Sequence, residues 1–427
     1  MLVTIPLTQA QIEIANDPHR VKVLIAGRGW GKSTLLYAVL SQIGLSNQGK
    51  SAVIMPIQSQ AKDFFRDMSD GENFDSLLQG EPILWPYPLI TWKGTKHRLE
   101  FRSFERPKRL RGGRWTGGIV ACDEANDLSG DEITKIILPK MSTGDSQLYI
   151  TSTITHQNWL WDLGQRGLSG DKLVKTWIYP SPTGIAFQGP KGKQRLADLK
   201  SITPEYQWNS EYLCIPGQDN STAFPYFNQC IIDANPPEGP EKSFGFIGGL
   251  DLGRTRDHTF LTILRSDGLL VHAEEFELGQ THELMAQRVG ARSRYWDCPI
   301  VIDSTGGGGS GGARSSNDSF VEVYRQQVNS LREFYWSPNS ESQSKRDIIS
   351  NLMLLTEQRR LKVPKRFAAV ISQMQNYRVL QSRGSKTTFG CKQGHDDAVA
   401  SLAMSAWGLH RRWYSDPKPA TAGGSWL

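Results

Sequence analysis

The sequence lacks the features that mark secreted and membrane proteins. No apolar run in its 427 residues approaches the roughly 18 needed to cross a bilayer. The N-terminus has no basic segment followed by an apolar one, as a secretory signal would. The five cysteines form no C-x-x-C pair, which favours free thiols in a reducing compartment over zinc or disulfides. These absences predict a protein that works in a cytoplasm and has no membrane partner.

Charge is unevenly placed along the chain. The net charge is only +6, yet residues 93–114 contain nine lysines and arginines against two glutamates, a local charge of +7. The remainder of the chain therefore sums to about −1. Such a block is often a solvated surface, but it also suits a phosphate backbone.

Two segments with different patterns predict two domains. In residues 1–215, short apolar strands alternate with helical stretches, an α/β pattern that predicts a mostly parallel sheet. Residues 216–243 are rich in Pro, Asn and Gly and are interpreted as a linker. In residues 244–412, three strands with tight turns precede a helix and the strand "PIVIDS", which predicts a mixed sheet with an antiparallel meander. Residues 413–427 resemble a flexible tail.

A glycine-rich run, "GGGGSGG" at 306–312, directly follows the strand that ends in Asp303. Its composition is typical of a flexible, disordered loop. Its position after that strand also suits a loop at a functional site. The sequence leaves both interpretations open.

The stretch "AGRGWGKS" matches a phosphate-binding loop, G-x-x-x-x-G-K-[ST], with Ala26 in place of the first glycine. In such loops, glycines allow backbone N–H groups to surround phosphates, the lysine reaches the terminal phosphates and the hydroxyl binds Mg²⁺. The candidate nucleotide-binding residues are Gly27, Arg28, Gly29, Gly31, Lys32, Ser33 and Thr34. A strand before the loop and a helix after it provide the context that the motif requires.

A second element supports nucleotide hydrolysis. The apolar strand "IVAC" ends in Asp123, a candidate ligand of the magnesium ion, and Glu124, which would polarise the attacking water. No N-K-x-D guanine signature is present, so adenine is the expected base and ATP with Mg²⁺ the expected cofactor. Thr153, at the end of "ITST", could sense the γ-phosphate, although hydroxyls at that position are also common at the end of a strand.

Other candidates near the nucleotide are less specific. Gln11, or alternatively Gln9, could read the adenine edge, or could be ordinary helix surface. Arg28 lies inside the phosphate loop, and Arg111 and Arg114 lie in the glycine-rich "RLRGGRW" before the acidic strand. Either placement could stabilise charge in the transition state.

Aspartates at the ends of elements predict a second site. Asp251 and Asp303 each end a strand, and Asp396 and Asp397 begin the last helix. Like charges about 4 Å apart repel by roughly 4 kcal/mol at an effective dielectric constant near 20, so such a cluster needs cations. Two Mg²⁺ or Mn²⁺ ions would bind it and would clamp a phosphodiester. Asp257 could supplement a metal, and the pattern does not separate Asp396 from Asp397.

Taken in order, these motifs resemble the large terminase subunit of tailed bacteriophages. The resemblance covers "LTQAQ", "AGRGWGKS", "LRGGRWTGGIVACDEA", "ITST", "GGLDLGRTRDHT", "VIDSTG" and "GHDDAVASL". It implies an additional-strand P-loop ATPase domain followed by a ribonuclease H-like endonuclease domain. By the same match, Arg28 resembles the loop arginine, Glu124 the catalytic glutamate and Thr153 the coupling residue. Asp251, Asp303 and Asp396 or Asp397 match the metal ligands.

The resemblance also implies a role and partners. The protein would drive double-stranded DNA through a portal protein into a procapsid, assembled there as a ring of copies and assisted by a small terminase subunit. It would work in the cytoplasm of the infected bacterium and would cut concatemeric DNA. Two other hypotheses remain: a helicase-like ATPase whose second domain only binds DNA, and a nonenzymatic assembly protein that uses nucleotide as a structural ligand.

Overall fold

The structure is a computed structural model with two compact units. It describes residues 5–69, 77–84, 86–141, 145–217, 221–253, 258–304, 316–334, 345–381, 387–391 and 395–414. The first unit comprises Met1–Ile202, Tyr206–Asp219 and Gln381–Thr387, and the second comprises Thr203–Glu205, Asn220–Leu380 and Thr388–Leu427. The glycine run, Asp257 and residues 415–427 lie outside the described residues.

A seven-stranded sheet forms the centre of the first unit. Its strands are β1 (Val21–Ala26), β2 (Lys50–Met55), β3 (Leu89–Thr91), β4 (Arg98–Ser103), β5 (Ile119–Cys122), β6 (Gln147–Ser152) and β7 (Val174–Tyr179). They lie in the order β3-β4-β2-β5-β6-β1-β7, and all neighbours are parallel except β3 and β4. The mostly parallel sheet is therefore confirmed, and β6 is the additional strand between β1 and β5.

Helices cover both faces of this sheet. They are α1 (Gln9–Asn16), α2 (Lys32–Ser46), α3 (Gln58–Ser69), α4 (Gly130–Glu132), α5 (Leu138–Met141), α6 (Trp159–Leu168), α7 (Gly189–Ile202) and α8 (Glu205–Glu211); a π-helical turn, Ile133–Ile137, joins α4 to α5. Alternate residues of β1 enter different cores. Leu24 belongs to the cluster with α2 and α3, whereas Val23 and Ile25 belong to the cluster with α6, which explains the uninterrupted apolar run of a doubly covered strand.

The second unit contains a mixed sheet. Its strands are β8 (Ile231–Ile232), β9 (Phe246–Asp251), β10 (Phe260–Arg265), β11 (Leu270–Glu275), β12 (Ile300–Asp303), β13 (Leu331–Phe334), β14 (Val363–Pro364), β15 (Tyr377–Gln381) and β16 (Thr387–Cys391). The order β11-β10-β9-β12-β13 begins with an antiparallel meander and continues with parallel pairs. β8 pairs with β14 and β15 with β16. The predicted meander and mixed sheet are confirmed.

The helices of this unit are α9 (His282–Trp296), α10 (Ser316–Gln327), α11 (Lys345–Glu357), α12 (Ala368–Asn376) and α13 (Asp397–His410). α13 is buried along almost its whole length and lies directly on β9. A Cβ atom at Gly249 would be 2.1 Å from the Ser401 carbonyl oxygen, so only glycine allows this approach. The Ser401 hydroxyl donates to the Gly249 carbonyl at 2.8 Å, which fixes the start of α13 beside β9.

The structure differs from the sequence interpretation in two respects. The Pro-rich segment interpreted as a linker belongs largely to the second unit, because Phe227 and Cys230 are buried and β8 pairs with β14. Several strands, among them β7 and β13, are not predicted from the sequence. β13 is four residues long and lies at the edge of its sheet, so it carries little of the apolar periodicity on which strand prediction depends.

Candidate functional sites

The phosphate loop connects β1 to α2. Gly29 and Gly31 have φ of 69° and 110°, values that only glycine adopts at little cost. Lys32 is buried, and its Nζ atom donates to the carbonyl oxygens of Ala26 at 2.9 Å and Gly27 at 3.4 Å. Burial lowers the pKa of Lys32, and the neighbouring Glu124 and Asp123 oppose this shift. The partners of the ammonium group are thus neutral carbonyl oxygens, and a bound anion would favour its charged form more strongly.

Trp30 is the bulky residue of the phosphate loop, and it is buried. Its ring stacks on Tyr179 with centroids 4.9 Å apart, and its Nε1 donates to the Thr183 hydroxyl at 3.0 Å. Ser33 and Thr34 lie half-buried in the first turn of α2. The bulky residue is therefore held by the end of β7 and the turn that follows it.

The acidic pair follows β5 at the same edge of the sheet. Asp123 is buried and accepts hydrogen bonds from the Thr151 hydroxyl at 2.6 Å and from the Glu124 N–H at 3.0 Å. Burial raises the pKa of both carboxyls; Asp123 raises that of Glu124 further, while Lys32 opposes each shift. The two acids and the lysine form one electrostatic unit that gains from a bound cation.

Thr151 is the residue of β6 that contacts the acidic pair, while the γ-phosphate-sensing role expected of Thr153 stays a prediction. Parallel pairing aligns Cys122 with Ile150, which places the next residues, Asp123 and Thr151, side by side. The strand register carries this information, and the sequence alone does not reveal it.

Arg28 has a partner that the sequence did not indicate. Its Nε donates to Glu211 at 2.5 Å, and its backbone N–H donates to the Glu211 carbonyl at 2.9 Å. Burial is the largest influence on Arg28 and opposes its charge, but the attractions of Glu211, Tyr212 and Glu124 together outweigh it and raise the pKa of Arg28. Arg28 also acts on the pKa of Glu124. The loop arginine is therefore bound to a carboxylate and is coupled to the acidic pair.

The structure separates the two glutamines near the N-terminus. Gln11 is buried in α1; its Nε2 donates to the Gly31 carbonyl at 2.9 Å and its Oε1 accepts from the Thr8 N–H at 2.8 Å. Gln9 is exposed and bonds to Glu13 on the same helix at 3.2 Å. Gln11 ties α1 to the phosphate loop, while reading of adenine by either residue stays a prediction.

Arg111 and Arg114 line a cavity of about 640 Å³. Lys135 and Lys140 also line it, and its described lining includes no carboxylate. The Lys140 Nζ donates to the carbonyls of Arg111, at 2.7 Å, and Gly113, which holds this loop against α5. The cavity is thus a concentrated positive site next to the acidic strand.

The aspartates of the second unit meet at one end of its sheet. Asp251 ends β9 and Asp303 ends the adjacent parallel strand β12. Burial, followed by the charges of Asp303, Asp397 and Asp396, raises the pKa of Asp251 well above its ordinary value. Asp257 cannot be placed because it lies outside the described residues. The four other predicted carboxylates are therefore close enough to repel one another.

The structure also distinguishes Asp396 from Asp397. Asp397 is buried, and its Oδ2 accepts from the His258 N–H at 3.1 Å. Asp396 is more exposed, with its Oδ2 3.6 Å from the Lys345 Nζ. His395 lies 3.9 Å from Asp397. Both histidines adjoin motif aspartates in the sequence, whereas nothing in the sequence pointed to Lys345.

Divalent ions fit this donor set by chemistry. Carboxylate oxygens are the preferred ligands of Mg²⁺, and the raised pKa of Asp251 reflects repulsion that a cation would relieve. Among the described residues, no three His, Cys, Asp or Glu side chains are preassembled around one point.

Two protein families match the chain in succession. Residues 23–229 match "Terminase large subunit, T4likevirus-type, N-terminal", and residues 248–406 match "Terminase RNaseH-like domain". Together these matches span most of the described sheets of both units.

Relatives and solved structures agree with these matches. The large terminase subunits of Thermus phage G20c and Thermus virus P23-45 are 24% and 25% identical to the chain over 328 and 329 residues, covering 72% of this chain and 64% of each relative. The chain thus spans less than two thirds of the length of these curated relatives.

The crystallised large terminase of another thermophilic bacteriophage has a TM-score of 0.60 at 10% identity, covering 96% of this chain and 100% of that one. The complex of that terminase with ADP gives 0.59 at 10% identity, with coverages of 96% and 100%. At this identity the likeness shows the fold alone.

The first unit has a phosphate loop on an additional-strand sheet, and the second has a ribonuclease H-like sheet with clustered aspartates. These two features define the class of two-domain P-loop proteins with a nuclease-type fold. Within it, the chain belongs to the large terminase subunit family of bacteriophages. The resemblance noted from the sequence is confirmed. Within the described ranges, no helix is both long and apolar enough to span a bilayer.

The contact of Gln11 with the phosphate loop can be tested by stability. Gln11→Ala should lower the free energy of unfolding by about 1–3 kcal/mol, because the Gly31 carbonyl and the Thr8 N–H lose partners at a largely buried position. Gln9→Ala, the same change on an exposed turn of α1, should stay within about 0.5 kcal/mol of wild type. Denaturant unfolding measures both values. Equal stability of the two variants would contradict the assigned role.

Proposed function

We propose that the protein is a motor and nuclease that translocates double-stranded DNA with ATP and cuts it with divalent metal ions. The single observation that carries this proposal is the presence, in one chain, of a phosphate loop coupled to Asp123 and Glu124 and of four aspartates gathered at one end of a ribonuclease H-like sheet. A nucleotide switch without hydrolysis would not need Glu124, and a pure DNA-binding domain would not need the aspartates.

The first unit supplies the residues for ATP hydrolysis. The first turn of α2 presents N–H groups with no intrahelical partner, which attract phosphates. Lys32 would exchange its carbonyl contacts for the terminal phosphates, and the Ser33 hydroxyl and Asp123 would hold Mg²⁺. Glu124, kept near Lys32 and Asp123, would orient and polarise the attacking water. The ADP complex of the thermophilic bacteriophage terminase supports nucleotide binding on this fold.

Two arginine sources remain for stabilising the transition state. Arg28 lies in the loop itself and would exchange Glu211 for a phosphate oxygen. Arg111 and Arg114, in the positive cavity, would instead reach the nucleotide of a neighbouring copy, or the DNA backbone. Oligomeric P-loop motors permit both, because an arginine can act in cis or in trans.

The second unit supplies the residues for DNA cleavage. Two bound divalent ions would activate the attacking water and stabilise the leaving oxygen of a phosphodiester. Asp251 and Asp303 would hold them between β9 and β12, with Asp396, Asp397 and Asp257 as further ligands. The His258 N–H donates to the Asp397 Oδ2 at 3.1 Å and would orient this carboxylate.

The partners belong to the same proposal. Double-stranded DNA would be the common substrate of both units. The portal protein, the small terminase subunit and a ring of further copies would complete the motor on the procapsid in the host cytoplasm. Membership of the terminase family supports these partners.

ATP turnover should depend on Lys32 and Glu124 in different ways. Lys32→Ala should abolish phosphate release because the terminal phosphates lose their cation, and Mn²⁺-dependent DNA cleavage should remain. Glu124→Gln should bind nucleotide and fail to hydrolyse it. Asp131→Asn, on the exposed start of α4, is the control. Normal turnover in Lys32→Ala would refute the phosphate-loop assignment, and lost nucleotide binding in Glu124→Gln would make that residue structural.

The arginines of the positive cavity should act on the nucleotide bound by a neighbouring copy of the protein. Arg111→Ala or Arg114→Ala should suppress ATP turnover in the assembled motor about 10³-fold or more if an arginine acts in trans, with little change in the dilute monomer. Lys108→Ala removes an exposed charge of the same basic segment outside the cavity and serves as control. Equal losses in monomer and motor would indicate a role in cis or in folding.

DNA cleavage should require the strand-end aspartates and metal. Asp251→Asn and Asp303→Asn should each eliminate Mn²⁺-dependent cleavage of plasmid DNA while the ATPase rate changes little, and EDTA should inactivate the wild type. Asp233→Asn, at an exposed aspartate of the same unit, should cleave normally. Cleavage that survives both substitutions would overturn the nuclease assignment, and an inactive wild type would favour a second domain that only binds DNA.

A further inference from the structure

We infer that Gln373 is a positioning residue of the nuclease site, which caps the N-terminus of α13 from α12 and so leaves the Asp396 carboxylate to bind a divalent ion. The inference rests on the proposed nuclease function. No motif in the sequence points to Gln373, which lies in the last helix but one.

The first turn of α13 contains a donor that an aspartate at its start would ordinarily bind. Asp396 is the N-cap residue of this helix. The first N–H groups of a helix have no partner within it, and an N-cap aspartate usually accepts from the second or third of them through its side chain. Here the second, the Ala398 N–H, donates to the Gln373 Oε1 at 2.8 Å. The amide of a neighbouring helix therefore takes the place of the usual cap.

The backbone of Asp396 agrees with this exchange. Its φ and ψ are −121° and 14°, and its side chain makes no capping hydrogen bond. Thr8, Asn158 and Thr281 show the ordinary arrangement, because each has an extended backbone and accepts from an N–H group of the helix that it begins. Aspartate is as good an N-cap residue as these, yet Asp396 does not cap its helix.

The Asp396 carboxylate is instead close to the acidic cluster. Its Oδ2 lies 3.6 Å from the Lys345 Nζ at the start of α11. Burial, followed by the charges of the other three aspartates, raises the pKa of Asp251, so the charge of Asp396 acts on the end of β9. The group that would cap the helix thus belongs electrostatically to the candidate metal site.

A neutral amide suits the position of Gln373. A carboxylate there would also accept from the Ala398 N–H, but it would add a negative charge beside aspartates that already repel one another. The glutamine supplies the acceptor oxygen without that charge. Its helix is anchored, because Met374 is buried and the Gln373 carbonyl accepts from the Cys391 Sγ at 3.8 Å. The cap is therefore attached to the core of the second unit.

Removal of this amide would return the cap to Asp396. In Gln373→Ala the Ala398 N–H loses its acceptor, and Asp396, two residues earlier, has the side chain that ordinarily accepts from this N–H. A carboxylate that caps the helix is less available to a metal ion. Loss of a residue that orients a metal ligand typically weakens metal affinity about 10- to 100-fold.

The test measures Mn²⁺ binding to the full chain without DNA, by calorimetry. Gln373→Ala should weaken Mn²⁺ affinity about 10-fold or more. Plasmid cleavage should need correspondingly more Mn²⁺ but should approach the wild-type kcat at saturating Mn²⁺, because ion binding then outcompetes the cap. Gln373→Glu keeps an acceptor of the same length and should restore the affinity. Thr281→Ala removes the side-chain cap of α9 in the same unit and is the matched control, with wild-type Mn²⁺ affinity expected.

A double substitution shows whether Gln373 acts through Asp396. Asp396→Asn should itself weaken Mn²⁺ binding, and adding Gln373→Ala to it should weaken binding by no more than about 2-fold further, because the carboxylate that the amide releases is already gone. Losses that simply add would overturn the inference. Unchanged Mn²⁺ affinity in Gln373→Ala or in Asp396→Asn would do the same, as would a fall in kcat that excess Mn²⁺ does not restore.

Failure of the proposed nuclease function would look different. A wild type that binds Mn²⁺ but cleaves no plasmid DNA would refute that function alone, because the binding comparisons would still decide the role of Gln373. A wild type that neither binds Mn²⁺ nor cleaves DNA would refute both.

Discussion

The pairing of adjacent parallel strands is the constraint on which both sites depend. In the first unit, the register of β5 and β6 brings Asp123 to the Thr151 hydroxyl. In the second, the register of β9 and β12 brings Asp303 to Asp251. Because parallel strands end at the same edge of a sheet, residues far apart in the chain converge there. A slip of one residue would turn these side chains to the opposite face and would dissolve either site.

Burial gives these converging groups their chemical character. Burial removes water from the Lys32 ammonium and from the Asp123 and Glu124 carboxyls. It lowers the pKa of Lys32 and raises the pKa of both acids, so it favours the neutral form of each group. A phosphate with its magnesium ion would restore the charges. The same reasoning holds for Asp251 and its neighbours. Both sites are thus high in electrostatic energy when empty, and this energy favours highly charged ligands.

The surrounding elements keep these groups in place through small residues and buried hydrogen bonds. Gly249 lets α13 approach β9, and hydrogen bonds that join the Thr262 hydroxyl to the hydroxyls of Ser401 and Ser405, at 2.9 and 2.7 Å, fix the helix on β10. This contact sets where Asp396 and Asp397 begin the helix. In the first unit, Gln11 has the corresponding task, because it attaches α1 to the phosphate loop.

The sequence by itself determined the phosphate loop, the acidic pair after β5, the antiparallel meander and the aspartates at strand and helix ends, because each depends on neighbouring residues in the chain. Tertiary structure alone decided that Thr151 contacts Asp123, that Gln11 rather than Gln9 supports the loop, and that Asp397 is the more buried of its pair. It alone revealed Glu211 and Lys345. These facts depend on strand register and on contacts between distant segments, which local spacing and residue type do not encode.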